Sequence, residues 1–531
     1  MPSPAIAFIL SSCFVLTHAR WATDGTASSL LPALIRASSG NRTAPVGDAE
    51  RGCHRSDPEC KEKLIFVVEV CRHGNRSPYH YFEKDTKNGL DTWEGVAEKG
   101  WLTRLGMLQH YLIGAIARKK YVRTYRLLSG RYTPREVYVR STLVPRRLFP
   151  PGSGHHFTMA QEDMRDALYR ETGKISPIRQ HLSLHSNGTV GEDDPTETIQ
   201  KMGDAASLDI KQVVGSGCSP LPQAFDMVPV YTVEKEEDTL LLGFEDDICD
   251  QFKDEYMATH KCTAFHSPMM ARHEAVLEGH VKGAQKSNSA SCGKTSTQVM
   301  EHFKGILDRA DKALGKSLFE PGKAVNADIH VASHMADAVV CQIADGRRPA
   351  IKDADVIKGL IDLLDAYFSI RFADPVIASH GSAEFYKLLA SLFESKAALA
   401  KDPTSALALR TGREALKGAP GLAEAANVWE TLRFLYLSAH DSTVAAFIAA
   451  LGVFNGVQPH FASTIFFELW QKGPSGDFFV RVIYNGDAMG VCGEGIQDCP
   501  LTQFLDKIRK IGGGMKVNEF CLQPPPSPQQ T

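Results

Sequence analysis

The run Leu64-Ile65-Phe66-Val67-Val68-Glu69-Val70 is almost continuously apolar and rich in β-branched and aromatic side chains. A strand buried on both faces of a parallel sheet has this character, whereas a half-exposed strand alternates. A helix is predicted over about Thr103 to Lys120, because Leu105, Leu108, Leu112 and Ile116 recur at helical spacing. That stripe reads as core packing. Glu136 to Val139 and Leu432 to Leu437 predict further short strands. The second of these leads into a helix over about Ser442 to Leu451, which Gly452 would end. Phe478 to Tyr484 predicts a fourth strand. Roughly 155–425 reads as mainly helical; Ala397 to Glu430 is rich in Ala, Leu, Lys and Glu, and His260 to Lys294 is a polar surface insertion. No internal repeat is evident. The expected fold class is therefore α/β, a mostly parallel central sheet flanked by helices, assembled from the two ends of the chain, with a large mainly helical insert.

The termini extend this picture. Ala5 to Leu16 is an uncharged apolar run followed by the small residues Thr17 and Ala19, and reads as a signal-peptide core with cleavage after about Ala19. It is too short to span a bilayer. The more apolar stretch Phe434 to Phe454 carries His440 and Asp441, which are costly in lipid, so a buried strand and helix are expected there. The implied divisions are a signal peptide (1–19), an N-terminal extension (20–61), the first part of the α/β core (62–154), the insert (155–425), the second part of the core (426–521) and a Pro- and Gln-rich disordered tail (522–531).

Charge and cysteine usage narrow the function. Of 531 residues, 59 are Lys or Arg and 62 are Asp or Glu, a net charge of -3. That balance predicts no nucleic-acid partner and no stable membrane anchor, so any anion must be bound by a local basic cluster. There are twelve cysteines, and removing Cys13 with the signal leaves an odd number, which implies a free or intermolecular thiol. Cys53/Cys60 and Cys492/Cys499 have spacings compatible with local disulfides. Asn41 and Asn187 head glycosylation sequons, which fit a secreted or lysosome- or vacuole-like lumenal location. The histidine pairs His155/His156 and His181/His185 lack the Glu of a zincin motif, and no metal or other cofactor is expected.

The chemistry concentrates after the first strand, in Cys71-Arg72-His73-Gly74-Asn75-Arg76-Ser77-Pro78. Ligands of open α/β sheets bind at the carboxyl ends of strands. Arg72 and Arg76 offer forked donors suited to phosphate oxygens, and Gly74 permits close backbone approach. The positive field of the two arginines favours the neutral, nucleophilic form of His73. Five specified positions match R-H-G-x-R-x-P, for which the chance expectation over this length is on the order of 10⁻⁴. The sequon at Asn75 is set aside because it lies in this loop.

The segment resembles the signature of the histidine acid phosphatases, a branch of the histidine phosphatase superfamily. The resemblance extends to Leu102 to His110, to Val139-Arg140-Ser141-Thr142, to a mid-chain turn at Pro229 to Val233, to Ser438-Ala439-His440-Asp441-Ser442-Thr443-Val444, and to Cys492 to Phe504. It covers about Lys63 to Cys521. It implies hydrolysis of a small-molecule phosphate monoester in two steps, with a homodimer as the expected assembly. In this reading His73 attacks phosphorus. Arg72, Arg76 and Arg140 bind the phosphoryl oxygens, His440 donates a further hydrogen bond, and Asp441 serves as general acid and then assists water. Asp441 also sits where the cap of the following helix is expected. The resemblance further implies Cys249–Cys521 and Cys492–Cys499 pairs. It leaves Cys341 a free thiol, because its partner position holds Thr464; Cys71 is the second such candidate. One departure stands out. Leu148-Phe149-Pro150-Pro151 follows Ser141-Thr142 almost at once, where the family has a helix's worth of chain, so the support of Arg140 is in question and a mis-assembled or alternatively spliced junction is expected. Two rival functions remain: a catalytically impaired phosphate-ester-binding or structural member, and a specialised phytase or lysophospholipid phosphatase.

Overall fold

A computed structural model describes residues 62–143, 228–245, 294–315, 329–473 and 476–514, apart from 94, 95, 97, 131 and 374. The expected signal peptide, both sequons, both histidine pairs, Cys53, Cys60, Cys249, Cys521, the 144–151 junction and the C-terminal tail lie outside these residues.

Among the described residues, eight strands form one mixed sheet: β1 (Glu62–Arg72), β2 (Val137–Thr142), β3 (Val230–Val233), β4 (Phe434–Ala439), β5 (Thr464–Lys472), β6 (Phe478–Tyr484), β7 (Asp487–Ala488) and β8 (Asp498–Pro500). Their order is β3-β2-β4-β1-β5-β6-β7, with β8 beside β6. The half β3-β2-β4-β1 is parallel, and β5 to β8 extend it antiparallel. Parallel strands buried on both faces need continuous apolar runs, and β1 is buried from Leu64 to its end. The two-ended sheet has one exception. The mid-chain turn at Pro229 to Val233 is a strand, β3, lying parallel to the edge of β2.

β5 is not among the predicted strands, although like β1 it is an apolar run that holds one carboxylate, Glu468. The structure shows why a carboxylate is tolerated there. Glu468 accepts a hydrogen bond from Tyr121 Oη at 2.6 Å and pairs with Lys120 Nζ at 2.5 Å, both supplied by the π-helical end of the first helix. That helix, α1, spans Arg104–Ala117, with Thr103 as its cap accepting from Gly106 N–H, and runs on as a π-helical segment through Thr124.

α1 covers one face of the sheet, where Ile113, Ala117 and Tyr121 pack on Val67, Val139, Phe434 and Phe466. The other face carries the larger core. It takes α2 (Lys294–Leu314), α3 (Ile329–Ala344), α4 (Ala354–Ala373), α5 (Pro375–Lys401), α6 (Ala406–Lys417) and α7 (Asp441–Ala450); α8 (Leu501–Ile508) closes the C-terminal side. α7 stops where expected, because Gly452 takes a left-handed φ of 73°. No described helix is long and apolar enough to cross a membrane. Cys492 and Cys499 are bonded to each other, while Cys71 and Cys341 are buried free thiols.

Trp429 anchors the helical layer to β1. It is fully buried, stands edge-on to Phe66 at 5.6 Å, and donates from Nε1 to Ser395 Oγ at 3.0 Å. Gly412 of α6 lies flat against it: a Cβ there would fall 2.1 Å from Nε1. Gly412→Ala should therefore destabilise the fold by about 1–3 kcal/mol through overpacking, read as a lower denaturant midpoint at unchanged slope.

Candidate functional site

Strands β1 and β4 end side by side. Their register places Arg72 beside Ala439, and the His73 N–H donates to the Ala439 carbonyl at 3.2 Å. Each strand then releases its chemistry-bearing residues: His73 to Arg76 from β1, His440 and Asp441 from β4. The resulting ring centroids of His73 and His440 are 5.9 Å apart.

His73 Nδ1 lies 2.9 Å from the Gly74 carbonyl. A carbonyl only accepts, so Nδ1 carries the proton and Nε2 holds the lone pair of the neutral ring. Burial, then the charges of Arg72, Arg76 and His440, hold this imidazole well below its ordinary pKa. The neutral form therefore persists into acid.

Gly74 is fixed by a backbone crossing. A Cβ on it would fall 2.3 Å from the Gly106 carbonyl oxygen, and one on Gly106 would fall 2.1 Å from that of Asn75. Neither position tolerates a side chain. Asn75 is fully buried, accepting from Thr103 Oγ1 at 2.6 Å and donating to the Cys341 carbonyl at 3.3 Å, so it is held inside the loop as the rejected sequon required.

Each of the three arginines is tied to a carboxylate. Arg72 Nη2 stands 2.9 Å from Asp441 Oδ2, Nη1 donates to the Pro459 carbonyl at 2.5 Å, and the guanidinium lies 4.1 Å over Phe461. Arg76 makes a two-pronged pair with Asp337 of α3, at 2.9 and 3.2 Å, and stacks at 4.3 Å on Tyr79. Arg140 pairs with Asp238 at 2.5 Å, both fully buried. Nε of all three arginines and Nη1 of Arg140 are buried without a hydrogen-bond partner among the described residues. Such donors suit an anion's oxygens.

His440 occupies the cap of α7 in extended backbone geometry, and Asp441 is the first helical residue. The expectation that Asp441 itself caps the helix is thus off by one position. The shift keeps Asp441 at the positive end of the helix while its side chain turns to Arg72. His440 Nε2 is 3.0 Å from Thr142 Oγ1, and Gln458 Nε2 donates to Asp441 Oδ2 at 2.8 Å. Burial alone would raise the Asp441 pKa. Arg72, then Arg76, His440 and Gln458, outweigh it and hold the carboxyl below its usual value.

Arg72, His73, Arg76, His440 and Asp441 form one electrostatic cluster. Arg140 joins it indirectly: it sits on β2 opposite Leu437, deeper than Arg72, and Thr142 of the same strand reaches His440. Arg140 is held by strands on both sides and by Asp238, which supplies the support that the sequence left in question. Asp238, Asp337, Gln458 and Phe461 were not legible in advance. Asp337 is 261 residues from the arginine it holds, and no local pattern marks it.

Comparison with known proteins matches the pattern of the histidine phosphatase superfamily (branch 2) over residues 63–160 and 219–485. The chain is 23% identical to a lysosomal acid phosphatase of Xenopus laevis over 460 residues, covering 85% of this chain and 77% of that one. A local stretch of 87 residues is 41% identical to human prostatic acid phosphatase, 16% of this chain and 21% of that protein. Among solved structures, a phytase from Citrobacter braakii aligns over 85% of this chain and 98% of its own, with a TM-score of 0.47 at 14% identity.

The Arg76–Asp337 pair gives a direct test of how the cluster is aimed. Asp337→Ala removes the group that fixes the guanidinium fork without touching His73. Catalytic efficiency on an aryl phosphate should fall about 10²-fold through misplacement, with the circular dichroism spectrum retained. Unchanged efficiency would mean that Arg76 is aimed by other contacts.

Proposed function

This chain belongs to branch 2 of the histidine phosphatase superfamily, and from that premise we propose that it hydrolyses phosphate monoesters through a phosphohistidine formed on His73. One observation carries the reading: a histidine protonated on Nδ1 lies between two guanidinium groups, with a carboxyl group at a helix terminus across from it.

In the first step the Nε2 lone pair attacks phosphorus, a P–N bond forms and the P–O bond to the alcohol breaks. The bonding pair leaves on the alcohol oxygen, which takes a proton from Asp441. Arg72 and Arg76 hold the phosphoryl oxygens and balance their spreading charge, and Arg140 contributes from below through its free Nε and Nη1. His440, oriented by Thr142, donates to the same group. In the second step the Asp441 carboxylate takes a proton from water as the water oxygen attacks phosphorus. The P–N bond breaks and its electron pair returns to Nε2. Gly74 lets the loop cross Gly106 at backbone contact, which registers His73 against the start of α1.

We also assign the chain to an oxidising lumen or the extracellular space. The apolar run Ala5 to Leu16, the sequons at Asn41 and Asn187 and the Cys492–Cys499 bond support this. The lysosomal name of the amphibian relative agrees with it.

Incubation with labelled substrate and acid-free quenching should leave one phosphate per chain on His73, and His73→Ala should carry none and lose turnover on the order of 10⁴-fold or more. Label persisting in that variant would remove His73 from the role.

The pH dependence follows from Asp441. As a general acid it works only when protonated. Its pKa is held down in the free protein and raised by a bound phosphate dianion. Turnover should therefore fall as pH rises toward and above neutrality. Asp441→Asn should damage alkyl esters far more than aryl esters, whose leaving groups need less protonation. A flat profile up to about pH 8 would contradict the assignment.

A further inference from the structure

Between α7 and β5 the chain makes a turn, residues 455–463, whose contacts run in two directions. On its outer side it is pinned to α4. Gly456, at a left-handed φ of 79°, lies against Ser369, where a Cβ would fall 3.3 Å from Oγ. Two residues on, the Gln458 N–H donates to Asp365 Oδ1 at 3.0 Å. Asp365 and Ser369 are four positions apart on α4 and share one face of it. On its inner side the turn meets the reacting groups. The Pro459 carbonyl accepts from Arg72, Phe461 lies under that guanidinium, and the Ala462 N–H donates to the His73 carbonyl at 2.9 Å. Ala462 does so at a left-handed φ of 60°, a conformation that persists in a residue with a Cβ only where surrounding contacts fix it. Gln458, His460 and Phe461 of the same turn, with Arg72, line a cleft between α3 and α4.

Gln458 is the side chain of this turn that reaches Asp441. Its Nε2 donates to Oδ2 at 2.8 Å, and Arg72 Nη2 stands 2.9 Å from that same oxygen. Neither group can accept a hydrogen bond, so a proton on Oδ2 would face only donors there. Oδ1 accepts from the Ser442 backbone N–H at 2.9 Å and keeps a second lone pair. The two oxygens of Asp441 are therefore not equivalent. Resting on the reading of Asp441 as proton donor, we propose that Gln458 is a positioning residue: it holds Oδ2 as the unprotonated oxygen, leaves Oδ1 to carry the proton to the departing alcohol and to take one back from water, and sets the upper pH limit of turnover.

The charges around Asp441 come from every element packed on it. Against the effect of burial, Arg72 at the end of β1, Arg76 in the loop after it, His440 beyond β4 and Gln458 all favour the carboxylate. Glu245 lies close by, accepting from Ser442 Oγ at 3.3 Å. Asp365 stands behind Gln458, with Asp362 and Lys358 beside it on α4. Gln458 is neutral, so it can be replaced without changing the net charge of the site. Its hydrogen bond stabilises the charged form of Asp441. Loss of that bond moves the titration of Asp441 upward, and the acid form survives to higher pH. The aim of the carboxyl is lost at the same time, so the maximal rate falls.

Gln458→Met keeps the side-chain length and removes the donor. Turnover of an alkyl phosphate at saturating substrate should fall about tenfold at its optimum. Aryl phosphate turnover and KM should stay within about twofold, because the amide acts on the proton donor and not on the phosphoryl group. The ratio of turnover at about pH 7 to that at about pH 5 should rise about threefold or more, as loss of a hydrogen bond to a carboxylate requires. Asp365→Ala, which frees the Gln458 backbone, should move the profile the same way, and Asp365→Asn, which keeps an acceptor, should restore it; these two variants decide if Gln458→Met fails to fold. Carboxyl NMR of protein labelled with 13C-aspartate, its Asp441 resonance assigned through Asp441→Asn, reads the same upward displacement without turnover. An unmoved pH ratio and an unmoved Asp441 titration in Gln458→Met, while Asp441→Asn still damages alkyl esters selectively, would overturn the positioning role alone. Equal losses on alkyl and aryl esters with an unmoved pH ratio would reduce Gln458 to packing and overturn it as well. An Asp441→Asn variant that loses alkyl and aryl esters alike would instead overturn the proton-donor reading beneath it.

Discussion

The organising constraint is the burial of guanidinium charge at the ends of a parallel sheet. Arg72, Arg76 and Arg140 are almost wholly excluded from water. An unpaired cation in such surroundings is prohibitive, and removing the partner of a buried pair costs about 3–5 kcal/mol. The fold answers with one carboxylate for each: Asp441, Asp337 and Asp238. These come from three separate parts of the chain, so the cluster cannot form until the sheet, α3 and the segment after β3 have all assembled. Each pairing also leaves donors unused, and these are the atoms a phosphate can take.

The same constraint sets the protonation of the reacting groups. Burial, together with the guanidinium charges of Arg72 and Arg76, keeps the His73 imidazole neutral, and Arg72 holds the Asp441 carboxyl below its usual range in the free protein. A bound phosphate dianion offsets the arginines and moves Asp441 toward its acid form. Arg72 is central to this cluster, because it touches Asp441, precedes His73 in the chain and stacks on Phe461. Phe461 lies 5.8 Å from the His73 ring on one side and lines the cleft between α3 and α4 on the other.

Steric constraints complete the arrangement. The Gly74–Gly106 crossing holds the catalytic loop against α1 at backbone contact, so the loop is registered by the main chain as well as by side chains. Cys341 then closes it from the opposite side, through its carbonyl to Asn75 and its thiol to Arg76 at 3.4 Å. A thiol left free at this position has a packing role, and its pKa is raised by burial, which makes it a poor nucleophile.

The sequence by itself determined β1 and β6, because the largely apolar runs Leu64 to Val70 and Phe478 to Tyr484, each broken by one charged residue, have few other stable placements. His73, Arg72, Arg76, His440 and Asp441 were legible as candidates because the two segments that carry them resemble motifs of one family, and each residue sits within a residue or a short loop of a strand end. What it could not determine depends on distant partners. The pairing that accommodates Glu468 inside β5 is one such case, since Tyr121 and Lys120 arrive from 347 and 348 positions away in the chain. β3 was hidden because four residues carry too little periodicity to tell a strand from a turn. The aim of each arginine, the bracing of Asp441 by Gln458 and the shape of the cleft between α3 and α4 belong to the tertiary structure alone. Electrostatic pairing and cavity shape are set by which surfaces meet in space, and a one-dimensional pattern records only what each residue needs.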